Sequence, residues 1–279
     1  MQRLRQEKEA EIARIRQWID AGGIDDTPAV AKVAGPPVGY AVAPANAALA
    51  YSPNGSLLAV AGYHGVLLHD AAGRGLVARL PGDSPHIASL AFSADGSWLC
   101  VAGGAPGRFG EVQVWDVASR QLHRKHRVTN DTVFGVSLSP DKARIAFGCA
   151  DKTVRMLDVD TGDEKLLFRN HADWVLGTCF TKDGKRLVSG GRDKAMKIID
   201  LEHGRFIDDI NNPIEMVLSL ARHPEMDTVV YGGDLGTAFI YKISDNQKRT
   251  AARRDTNLVR ELERQAGSVH AVAYSKDGK

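Results

Sequence analysis

The sequence predicts an all-β fold built from a repeated four-stranded unit, with one amphipathic helix ahead of it. Three observations carry this. Six turn segments recur along the chain at intervals close to 42 residues. A second anchor follows each of the first five at the same period. The spacing of apolar residues also changes, from helical near the start to short alternating runs after about residue 46.

The helix comes first. In "EAEIARIRQWIDAGG", Ile12, Ile15, Trp18 and Ile19 recur at three- and four-residue spacing, with charged and amide residues between them. Gly22 and Gly23 stand where a left-handed C-cap would end it. Residues 24–45, "IDDTPAVAKVAGPPVGYAVAPA", are rich in Ala, Pro and Val and lack any helical period. That composition predicts an extended linker between residues 1–23 and a repeat domain over 46–279.

The repeats are "ALAYSPNGSLLAVAG", "SLAFSADGSWLCVAG", "GVSLSPDKARIAFGC", "GTCFTKDGKRLVSGG", "SLARHPEMDTVVYGG" and "AVAYSKDGK". Their turn slots fall at Gly55, Gly96, Lys142, Gly184, Met226 and Gly278, at intervals of 41, 46, 42, 42 and 52. The second anchors end at Asp70, Asp116, Asp158, Asp200 and Lys242, spaced 46, 42, 42 and 42. Four strands in about 40–45 residues is the size of one β-propeller blade. From residue 46 onward the chain resembles the WD-repeat family. It departs from the family pattern in completing the defining dipeptide only once, at Trp115-Asp116.

The resemblance implies roles for particular residues. Asp151 and Asp193 match the structural aspartate of the tight turn before the third strand, and Asp234 stands one place early. His171 in "NHADW" matches the family's Gly-His position, with Asn170 replacing the glycine. Together with Ser189, Trp115 and Asp116 these residues are expected to form the hydrogen-bond network that closes a blade. His171 with Asp193 is therefore read as structural and not as a metal or acid–base pair.

Composition excludes other classes. The net charge of +2 and the ordinary 25% of charged residues give no global sign of nucleic-acid binding. No apolar run reaches the roughly 18 residues of a membrane span, and no signal peptide begins at Met1. Cys100, Cys149 and Cys179 lie apart in strand-like runs and read as buried apolar residues. Catalytic, metal and cofactor sites are expected to be absent from this chain. Motifs of zinc proteases, nucleophile elbows and phosphate loops do not occur.

Interruptions of a repeat are where function is usually added. The second blade carries four extra residues, "GGAPGRFGEVQVWD", which place Arg108 and Phe109 at a loop tip. Either the pair contacts a partner, or Phe109 folds back over its own blade. The fifth unit is ten residues longer and carries Lys248, Arg249, Arg253 and Arg254. It reads as a solvated connector with an amphipathic turn at "LVRELER", since it holds no aromatic residue for base stacking.

The helix "EIARIRQWIDAGGIDDTP" resembles the last helix of a class I c-type cytochrome domain. With the repeats that follow, the chain looks like the bacterial, planctomycete-type proteins that fuse such a domain to a WD-repeat propeller. The resemblance implies haem c in a parent protein, an extracytoplasmic location and a role in electron transfer, with no haem ligand identifiable in this chain. The chain then reads as a piece of a longer protein, with five blades and the start of a sixth. It is expected to be an open arc that self-associates, whereas the complete protein would be a monomer. The function expected is a non-enzymatic scaffold that displays one propeller face to a protein partner. The alternative is haem-based electron transfer, with the haem motif upstream of this chain. A propeller enzyme of the lactonase or quinoprotein kind would need ligands converging on the central channel, and the available acids lie in turns.

Overall fold

The computed structural model describes residue 17 and residues 47–210, 215–243, 257–275, 277 and 278. The chain divides into two units, Met1–Gly39 and Tyr40–Lys279, and the described strands all belong to the second. The expected helix, residue 17 apart, and the expected linker lie outside the described residues. So does the basic cluster Lys248, Arg249, Arg253 and Arg254.

Five antiparallel four-stranded sheets follow one another in chain order. The first holds β1 (Leu49–Tyr51), β2 (Leu57–Gly62), β3 (Gly65–Asp70) and β4 (Leu76–Pro81). The second holds β5 (His86–Phe92), β6 (Trp98–Ala105), β7 (Phe109–Asp116) and β8 (Gln121–Thr129). The third holds β9 (Val133–Leu138), β10 (Arg144–Cys149), β11 (Val154–Asp158) and β12 (Glu164–Phe168). The fourth holds β13 (Val175–Phe180), β14 (Arg186–Gly191), β15 (Met196–Asp200) and β16 (Arg205–Asp209). The fifth holds β17 (Val217–Arg222), β18 (Thr228–Gly233), β19 (Ala238–Lys242) and β20 (Leu258–Glu261). Each is a simple meander, and the first strands β1, β5, β9, β13 and β17 neighbour one another in that order. They approach closely: a Cβ at Gly135 of β9 would lie 2.3 Å from the Leu176 carbonyl oxygen of β13.

The core is a set of apolar layers between consecutive sheets. Successive strand residues point to opposite faces, so one strand feeds two layers. Leu99 packs between the first and second sheets, and Cys100 between the second and third. Ile145 and Ala146 divide in the same way, as do Leu187 and Val188. Each large side chain buried there contributes about 1.5–3 kcal/mol. Strands apolar on both faces are what make the runs "LCVAG" and "RLVSGG" read as nearly continuous hydrophobic sequence.

All three cysteines are buried and unpaired. Burial pushes the Cys149 and Cys179 thiols up to about 12, and it raises Cys100 as well. Native protein at pH 8 should therefore leave all three unreacted with a thiol reagent, and denatured protein should titrate three. Rapid labelling of the native chain would show that these layers open readily.

The turn between first and second strands explains the repeat motif. Its leading hydroxyl donates to the acid or amide two residues on, as in Ser52 to Asn54, Ser93 to Asp95 and Thr181 to Asp183. The same oxygen accepts an N–H five residues on, from Leu57, Trp98 and Arg186 respectively. The fourth turn residue takes a positive φ, at Gly55, Gly96 and Gly184, which is why glycine recurs there. Lys142 tolerates φ 63° in that slot while its ammonium reaches Asp95 of the preceding sheet at 2.7 Å. At the turn between third and fourth strands the anchor aspartates accept backbone N–H groups. Those bonds hold the carboxyls of Asp70, Asp116 and Asp158 below the usual range.

Two expectations change here. The segment "LVRELER" is not an amphipathic turn: Leu258–Glu261 is β20, with Leu258 opposite Tyr241 and Arg260 opposite Ile240. A stretch of four residues is too short for periods of 2 and 3.6 to separate. The sixth repeat segment forms no strand of its own, yet it lies along β17. The Val272 N–H donates to the Ser219 hydroxyl at 3.1 Å, as the Val136 N–H does to Ser89 between the second and third sheets.

Candidate functional site

The turns between second and third strands meet the connections between consecutive sheets at one end of the meanders. Backbone bonds fix this junction, from Ala150 N–H to the Thr132 carbonyl and from Arg192 N–H to the Trp174 carbonyl. Asp193 sits in such a turn with its side chain only 6% exposed. It accepts from His171 Nδ1 at 2.9 Å and from the Ala172 N–H at 3.0 Å, and His171 Nε2 lies 2.8 Å from the Ser189 hydroxyl. A carboxylate only accepts, so in the neutral ring Nδ1 carries the proton and Nε2 accepts from Ser189. Burial would raise the Asp193 carboxyl, but the bond and charge of His171 outweigh it and hold the group low.

Asp151 occupies the same slot one period earlier and has different surroundings. Its side chain is 37% exposed and pairs with Arg155 at 2.9 Å. The period places Thr129 where the fourth sheet has His171, and Phe147 where it has Ser189. The buried network expected around Asp151 therefore does not form. Burial raises its carboxyl, while bonds from Thr153 and Arg155 more than offset this and lower it. In the fifth sheet Asp234 accepts the Met216 N–H at 2.6 Å, beside the buried Glu215. Desolvation there pushes the Glu215 carboxyl up.

Trp115 and Asp116 also depart from the expected arrangement. The Trp115 Nε1–H donates to Gln113 Oε1 at 2.9 Å, and Gln113 Nε2 donates to Glu111 at 2.6 Å. Ser84 completes the chain, donating to Glu111 at 2.7 Å. This buried network runs along alternate residues of β7 and involves neither a histidine nor a turn aspartate. Asp116 lies at the far end of that strand and caps the next turn through Ser119. The sequence reading missed Glu111 and Gln113, although polar residues at i and i+2 in "EVQVW" are the signal.

The four inserted residues lengthen β6 and β7 to eight residues each and do not make a long loop. Arg108 stands exposed at the turn. Phe109 is already the first residue of β7 and lies under the guanidinium of Arg127, 4.6 Å from its ring centre. Phe109 thus folds back on its own sheet, the second of the two arrangements weighed from the sequence. The pair nonetheless lines a groove of about 750 Å³ with Arg127, Asp131, Asp151 and Arg155.

One sheet further on, Trp174 is 40% exposed. Its ring stacks on Phe134 at 5.6 Å, and the Arg192 guanidinium lies 4.8 Å over it. The sequence reading treated "NHADW" only for its histidine and passed over this tryptophan. An indole held by both of these neighbours and still 40% exposed is a preformed contact surface.

For metals the described residues offer one cluster. Asp200, Glu202 and His203 bring ligand atoms within 4.8 Å of one another on an outer turn. Asp200 already accepts from the Glu202 N–H and pairs with His203 Nδ1 at 2.7 Å.

Compared with known families, residues 74–116, 119–158 and 162–200 match the WD40 family model, WD domain, G-beta repeat. No curated protein matches the chain. Each matched repeat straddles two sheets: 74–116 holds β4 with β5, β6 and β7, and the next two are offset likewise. Three consecutive stretches of the chain are thus similar to WD40 repeats, and they fall within a series of five sheets of the same build. WD40 repeats are the mark of protein-interaction scaffolds, and among the described residues no helix is long and apolar enough to cross a membrane.

Proposed function

We propose that this chain is a non-enzymatic interaction scaffold, a WD-repeat propeller that presents the turn end of its sheets to a protein partner. One observation carries this: a half-exposed Trp174, fixed between Phe134 and Arg192, on the end that also bears Arg108 and Phe109. Tryptophan and arginine dominate the energetics of protein interfaces, and these are held in place before any partner arrives.

Peptides selected from a random display library on the 279-residue chain test the reading. Trp174→Ala should weaken the selected peptides by more than about tenfold, as loss of a hot-spot residue does, with an unchanged melting temperature. Selected peptides that bind this variant as well as they bind the parent would place the interaction elsewhere.

The five sheets, with residues 268–275 lying along the last, support a propeller of more than five blades. The electron-transfer reading rests on the resemblance of residues 1–23. Its test is the coding sequence ahead of Met1: a C-x-x-C-H run there supports a haem-bearing parent, and its absence removes that reading.

A further inference from the structure

The groove beside Arg108 continues into a second hollow of about 380 Å³, and Arg127, Val128 and Arg155 line both. The combined channel follows β8, which at nine residues is the longest outer strand and spans about 30 Å. Its sequence, "QLHRKHRVT", is also the most basic of the described strands. The sequence reading passed over it because it interrupts no repeat.

The charges along this channel are unevenly satisfied. Arg155 is held by Asp151 at 2.9 Å and Glu164 at 3.3 Å. Lys125 is held by Asp83 at 2.6 Å. Asp131 accepts the Thr132 N–H at 2.6 Å and the Gly107 N–H at 3.3 Å. Every acid along the channel thus has a partner. Arg108 and Arg127 make no ion pair among the described residues, and Arg127 is oriented by the Phe109 ring beneath it. A guanidinium fixed on an aromatic face presents its N–H edge outward with little rotamer freedom left to lose.

We infer that this channel binds an extended acidic peptide of the partner protein, with carboxylates on Arg108 and Arg127. The inference rests on the scaffold reading above and adds the chemistry of what is bound. An elongated groove suits a chain in extended conformation better than an isolated anion. Phe109, the aromatic ring of this groove, lies under Arg127, so a single-stranded nucleic acid finds no open ring there for its bases to stack on. A peptide with spaced acids can set carboxylates on the two arginines that make no ion pair among the described residues.

The test uses a labelled decapeptide of alternating Glu and Ser, its Gln–Ser counterpart and a ten-nucleotide single strand, each titrated into the 279-residue chain by fluorescence anisotropy. The acidic peptide should bind, more weakly as salt rises, and the Gln–Ser peptide should not. The double variant Arg108→Gln/Arg127→Gln should bind about tenfold more weakly. Lys182→Gln, at the other end of the sheets and paired with Glu225, should bind as the parent does. Equal binding of the two peptides, or no loss in the arginine variant whose melt is unchanged, would overturn the proposal. So would tighter binding of the oligonucleotide through the same arginines. Library peptides that lose affinity with Trp174→Ala but not with the arginine variant would also overturn it, while leaving the scaffold reading intact.

Discussion

Replacing Asp193 by Ala lowers the unfolding free energy by about 1–3 kcal/mol, the usual cost of leaving buried hydrogen-bonding groups without a partner. The group stranded is the His171 ring, 7% exposed, whereas the N–H of exposed Ala172 can turn to water. Asp151→Ala should cost under about 1 kcal/mol, because its pair with Arg155 is partly open to water. Acid should reveal the same difference. The Asp193 carboxyl titrates below an unfolded aspartate at about 3.9, so its contribution is complete above that pH and disappears as pH falls toward the folded value. Asp193→Asn should flatten that acid limb, whereas Asp151→Asn should alter it less. Denaturant melts of the four variants between pH 3 and 7 measure this. Equal losses for Asp151→Ala and Asp193→Ala would show that the network is not what distinguishes the two sites.

The 279-residue chain in isolation should self-associate. Leu49 and Tyr51 of β1 are 62% and 60% exposed. Two of their counterparts, Val136 two sheets on and Phe180 three sheets on, are 6% and 4% exposed, covered by adjacent strands. An exposed apolar flank on a short strand is a site of association, and a partner sheet would bury it. Light scattering should show species above the monomer, and Leu49→Lys/Tyr51→Lys should reduce them. A monodisperse parent chain that melts cooperatively would contradict this.

The sequence carried the blades well and the surface poorly, and particular residues show why. The turn that reads Ser/Thr-x-Asp/Asn-Gly repeats because a hydroxyl, a side-chain oxygen two residues on and a positive φ are all local requirements, so Gly55, Gly96 and Gly184 declare themselves. Asp151 and Asp193 look alike because the slot is local, but their partners come from the preceding connection, where Thr129 replaces a histidine. The four extra residues around Arg108 were visible as a number. Whether they made a loop or longer strands depended on pairing between β6 and β7. Arg127 acquires meaning only from Phe109, which is eighteen residues away in the chain and 4.6 Å away in space. No periodicity reports such a pair.

The apolar layers bear on how the chain is made. Each layer joins two sheets consecutive in the chain, and each strand packs within about one repeat of its partners. A growing polypeptide can therefore dock each new sheet on the one before it while translation continues, without waiting for its distant end. Apart from the flank of the first sheet, the apolar face uncovered at any moment during synthesis is the one on the newest sheet.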